Sequence, residues 1–129
     1  VNLIIFPDWT KPEESLGLEL ERVVRTIATH PDKSKMALLI YYNNISDEDA
    51  NLVLSGVTVN LLMQEDLDVS EGPEISLIGE LSKIQWSALM PCLTFIIVLE
   101  RGENQEIMAT PELAKLLTVT AEEVREMRF

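Results

Sequence analysis

Four short apolar runs govern what this chain can become: LIIF at residues 3–6, ALLIY at 37–41, ISLIG at 75–79 and FIIVL at 95–99. None alternates strictly between apolar and polar positions, and only Ser76 weakly interrupts one of them. A strand that is apolar on both sides must be covered on both sides, which is the condition of a parallel sheet held between layers of helix. The segments between the runs carry helical periodicity. The order β-α-β-α-β-α-β, followed by further helices, calls for right-handed crossovers. The expected fold is α/β: a Rossmann-like, mostly parallel sheet of about four strands, with helices on both faces and extra C-terminal helices. A length of 129 residues suits one such domain, spanning 1–129, with a single core.

The first helix is expected over residues 12–29, where Leu16, Leu20, Val23, Val24 and Ile27 fall on one stripe. Thr10 stands three residues before Glu13, the capping-box spacing, and Pro12 sits in the first turn. Pro31 should stop the helix near His30. The second helix begins at Ser46, with Asp47, Glu48 and Asp49 placed to favour its dipole, and offers Leu52, Val53, Val57, Leu61 and Leu62 as apolar positions. Gly56, Val57, Thr58 and Val59 are poor helix formers, so a break there, or a short strand over 57–62, stands as the alternative. The third helix opens on Ser82 with Gln85 three residues on, presents Ile84, Trp86, Leu89 and Met90, and ends near Pro91. After the fourth run, Thr110, Pro111 and Glu112 open a short helix to about Leu117, and Thr120 with Glu123 caps a last one ending at Phe129.

Acidic residues number 22 against 10 basic, a net charge of −12 spread along the chain. Such a field repels nucleic acid and anionic lipid, so neither is an expected partner. No apolar run approaches the roughly 20 residues that cross a bilayer. The N-terminal VNLIIFPDWT lacks the basic flank of a signal peptide, and a cytoplasmic location follows as the expectation. Because the chain opens directly on a strand, it reads as a module cut from a longer polypeptide. Cys92 is the only cysteine, which leaves no internal disulfide and no thiolate-rich metal site.

A strand–turn–helix unit raises the question of a bound nucleotide. Phosphate binding there needs several glycines and an electrostatically open helix N-terminus. The turn after ISLI reads Gly79, Glu80, Leu81, Ser82, with one glycine and a carboxylate where a phosphate would sit. The first turn holds Asp8, Glu13 and Glu14 against Lys11 alone, the second (YNNISDED) is acidic or neutral, and no P-loop pattern occurs. Neither a cofactor nor a resident metal is expected: Asp47, Glu48 and Asp49 are consecutive and point apart, and QEDLDVSEGPE lacks the order of a calcium loop. His30, the only histidine, reads as a helix-end residue meeting carbonyls, and Cys92 as a small core residue. No catalytic constellation is assembled. Trp9 beside Asp8 is read as a lid over the sheet or, as the alternative, a sugar-stacking residue. Trp9, Lys11 and Gly79 are the ligand-binding candidates.

NLIIFPDW, PEESLGLELERVVRTIATHPDKSKMALLIYYNN and EISLIGELSKIQWSALMPCLTFIIVLE together resemble a segment of large cyanobacterial glycosyltransferase-like and tetratricopeptide-containing proteins. That segment is similar to the C-terminal Rossmann-like half of two-domain (GT-B) glycosyltransferases. The resemblance covers about residues 3–99 and implies a half-domain that grips a nucleotide-sugar only when joined to an acceptor domain that this chain lacks. In such proteins basic residues near the first strand–helix turn hold the diphosphate, a position that only Lys11 approaches here. Their paired glutamates, with seven residues between them and placed after the fourth strand, have no counterpart at that place; Glu13 and Glu21 share the spacing but lie in the first helix. The expected function is a nucleotide-sugar-binding half that is not catalytic alone, with an accessory protein–protein interaction domain as the alternative.

An open sheet edge invites pairing unless it is short, charged or covered, and none of the four runs contains a charge or proline. Either residues 111–129, which bring Leu113, Leu116, Leu117, Val124 and Met127, fold over an edge, or a neighbouring surface covers it. Self-association or docking to other domains of a parent protein is the corresponding expectation.

Overall fold

The computed structural model describes residues 2–7, 9, 13–42, 45–67, 74–79, 81–98 and 117–127. Five strands, β1 (Asn2–Ile5), β2 (Ala37–Tyr41), β3 (Glu74–Ile78), β4 (Phe95–Val98) and β5 (Leu117–Thr120), form one sheet in the order β3-β2-β1-β4-β5. Every pairing is parallel, with Leu3 opposite both Leu38 and Phe95 at the centre. The expected α/β Rossmann-like sheet is therefore present, one strand larger than the apolar runs announced. The unannounced strand is LTVT, half polar and preceded by a helix-like sequence. Residue 117 begins a strand where a helix was expected to end; the helix expected before it lies outside the described residues.

Among the described residues, four α-helices accompany the sheet: α1 (Glu13–Ala28), α2 (Asp47–Glu65), α3 (Lys83–Leu89) and α4 (Ala121–Glu126). Leu3, Ile5, Leu38, Ile40, Ile97 and Val119 point to one face and pack with Leu16, Leu20, Val23, Val24 and Ile27 of α1, Val57 and Leu61 of α2, and Val124 of α4. Ile4, Phe6, Tyr41 and Ile96 point to the other, against Trp86 and Leu89 of α3 and Met90 just beyond it. Both faces are thus covered, as two-sided apolar strands demand.

Local chemistry fixes the helix ends. The Ser46 hydroxyl accepts from the Asp49 N–H at 3.1 Å, and Ser82 with Gln85 and Thr120 with Glu123 form full capping boxes. The Thr10 cap falls outside the described residues. Helix α2 ends at Asp66, which takes the left-handed conformation with φ of 52°. It runs unbroken through Gly56–Val59, so the alternative of a break or a strand over 57–62 is excluded: burying Ala50, Val57 and Leu61 on one line outweighs the weak propensity of those four residues. Helix α4 stops at Glu126, short of the expected end, because Met127 is already extended. No helix among the described residues is long and apolar enough to cross a membrane.

Ile40 is fully buried on β2, so Ile40→Ala should destabilise the protein by about 2–5 kcal/mol. Ser82→Ala, removing one cap, should cost about 0.5–2 kcal/mol. Urea unfolding, with a lower midpoint and an unchanged slope, checks both.

Candidate functional site

In an open parallel sheet, ligands gather outside the carboxyl ends of the strands where the strand order reverses. Here the reversal falls between β1 and β4. Beside it the described carboxyl edge is filled by rings. Of the chain's three phenylalanines, two tyrosines and two tryptophans, Phe6, Trp9, Tyr41, Tyr42 and Trp86 meet there. Phe6, Tyr41 and Trp86 form a triangle with centroids 5.5–6.3 Å apart, while Trp9 stands edge-on to Tyr42 at 6.5 Å and 81°.

Trp9 is buried, and its indole Nε1–H donates to the Tyr41 carbonyl at 2.8 Å. The structure thus places this candidate as a tie between the β1 turn and the end of β2, in keeping with the lid reading. Gly79 follows β3, where a Cβ would lie 3.1 Å from the Tyr42 hydroxyl oxygen. The missing side chain admits a neighbouring ring. Lys11 lies outside the described residues. Trp9 and Gly79 therefore share the Tyr42 ring as a common neighbour. The cluster escapes sequence periodicity because its members come from the ends of β1 and β2 and from α3; the pairs Phe6–Trp9 and Tyr41–Tyr42 at strand ends were the available signal.

His30 is buried beyond the end of α1. Its Nε2 faces the carbonyl oxygens of Val124 at 3.0 Å and Met127 at 2.8 Å, and its Nδ1 accepts from the Asp32 N–H at 2.9 Å. Two carbonyls require a donor at Nε2, so the ring is the neutral Nε2–H tautomer. The helix-end carbonyls it meets belong to the end of α4 rather than α1. Arg22 pairs with Glu122 of α4, and Arg25 with Glu65 of α2 and Glu21. The Glu65 hydrogen bond raises the Arg25 pKa. Cys92, expected in the core, is exposed, because the turn after α3 sends Leu93 inward in its place.

A concavity lies between α1 and α2, a groove of about 480 Å³ with Gly17 and Gly56 on its walls and Glu14, Leu18, Glu21 and Val53 among its lining. No heavy atom lies within 4 Å of a Cβ built on either glycine. Beside it runs the outer face of α2. Leu52 is 68% exposed, Val59 49% and Met63 79%. Leu62 of α2 and Ile84 of α3, also apolar positions of their helices, are exposed as well. Among the described residues no group of three His, Cys, Asp or Glu could hold a metal ion.

Comparison with protein-family models, with curated proteins and with solved structures finds no match to this chain.

Two substitutions test these assignments. Trp9→Phe should cost about 1 kcal/mol through the lost hydrogen bond, measured by urea unfolding. His30→Ala should speed hydrogen exchange of the α4 amides while leaving β1 and β2 protected, measured by mass spectrometry or NMR.

Proposed function

We propose that this chain is an accessory protein–protein interaction domain, an α/β module whose outer helical layer meets another protein. The observation that carries the reading is the α2 face opposite the core. Leu52, Val59 and Met63 recur at spacings of seven and four, so they lie on one line, while Ala50, Val57 and Leu61 occupy the buried side. A helix apolar on both sides of its axis is one meant to be covered on both sides. The described helix N-termini support the same reading: α2 opens on Ser46 and three carboxylates, and α3 on its own capping box. In each the cap hydroxyl already takes one first-turn amide, and the carboxylates of α2 repel a phosphate.

A second reading follows from the strand order. A parallel sheet reversing between β1 and β4 has the topology at which nucleotides bind, in keeping with a nucleotide-sugar-binding half that needs a partner domain. Calorimetric titration with UDP- and GDP-sugars separates the two. The interaction reading predicts no saturable heat, and micromolar binding by this chain would favour the second.

The interaction reading also predicts that the outer face is dispensable to folding. Replacing Leu52, Val59 and Met63 together by Gln should leave the unfolding free energy within about 0.5 kcal/mol of the parent, as for surface positions. A loss of several kcal/mol would show that the face belongs to the fold.

A further inference from the structure

We infer that the α1–α2 groove and the adjoining α2 stripe receive a basic amphipathic helix of a partner protein. The inference rests on the interaction reading and names the occupant. Leu52, Gly56, Val59 and Met63 stand at i, i+4, i+7 and i+11, a continuous ridge along α2 with a gap at the glycine. That gap opens into the groove, whose far wall is Gly17 on α1. Glycine inside a helix costs about 0.5–1 kcal/mol relative to alanine. No close neighbour of Gly17 or Gly56 requires the missing side chain, so the two glycines leave a trough the fold itself does not use. A large apolar side chain from an incoming helix fits such a trough, as an anchor fits a pocket in helix-in-groove recognition.

Charge selects the occupant. Helix α2 holds Asp47, Glu48, Asp49 and Glu65 and no lysine or arginine. Asp66 follows at its end, and Glu14 and Glu21 line the opposite side of the groove. Arg25, which bridges α1 and α2, offsets part of the charge of Glu21 and Glu65, and the trio together still carries a net negative charge. The apolar surface is therefore rimmed by carboxylates at both ends. A second copy laid on this face would set acid against acid in either orientation, which disfavours self-pairing. A helix with Lys or Arg flanking its apolar stripe matches the rim and gains in on-rate at low salt.

The probe is a synthetic Leu/Lys peptide of about 18 residues, five helical turns, with leucines at helical spacing; its counterpart replaces every Lys by Glu. Fluorescence titration against the 129-residue chain should show saturable one-to-one binding of the Lys peptide, weakened by added salt, and none of the Glu peptide. Gly56→Leu fills the trough with a better helix former, so folding is preserved. It should weaken binding about tenfold or more, as should Leu52→Lys with Met63→Lys, whereas Ile84→Lys on the opposite layer should match the parent. Equal binding by all variants would reduce the effect to bulk charge and overturn the inference, as would failure of the Lys peptide to bind. A dimer in sedimentation that Leu52→Lys with Met63→Lys abolishes would overturn the occupant yet leave the interaction reading standing.

Discussion

The two-sided burial of β1 is the constraint on which the rest depends. It lies in the middle of the sheet, bonded to β2 and β4, and from Leu3 onward its residues are fully or almost fully buried in alternation: Leu3 and Ile5 on one face, Ile4 and the following Phe6 on the other. A strand so placed cannot face water on either side. The chain must return over both faces, and parallel pairing leaves crossovers as the only route. Helices α1, α2 and α4 cover the first face and α3 the second. The alternation in four residues thus dictates the three-layer arrangement.

The same strand sets the character of the sheet's carboxyl edge. Beyond Ile5 the chain continues into Phe6 and Trp9, and beyond Ile40 into Tyr41 and Tyr42, so aromatic mass collects on both sides of the β1–β2 ends. Dinucleotide-binding turns use glycine there so that backbone amides can approach phosphate. Here rings pack on one another and the Trp9 indole is held by the Tyr41 carbonyl. Among the described residues this edge holds packed rings, and a concavity between α1 and α2 lies in the helical layer.

Much of this was legible in the residues. LIIF, ALLIY, ISLIG and FIIVL each lie within one residue of a strand, because buried parallel strands leave unbroken apolar runs. Ser46, Ser82 and Thr120 marked helix starts because their hydroxyls have a local partner to satisfy. What was not legible depends on tertiary placement. LTVT is too short and too polar to register as a strand, and it becomes one by pairing with β4. On α2, apolar residues on both sides leave no periodicity to choose the inner face; packing on α1 chose Val57 and Leu61 over Leu52 and Leu62. Cys92 and Leu93 are adjacent, and only the geometry of the turn decides which enters the core.

What remains after the core is built is an apolar ridge with an acidic rim, on a helix already anchored from the other side. If a partner covers it, the ridge should be shielded wherever that partner is present. Hydroxyl-radical footprinting of the chain in its source cells, compared with the purified chain, reads this directly. Ile84, exposed on the opposite layer, is the internal reference. The account predicts that Leu52 and Met63 react readily in the purified chain and are strongly protected in cells, with Ile84 labelled equally in both. Equal labelling of Leu52 and Met63 in the two settings would contradict it.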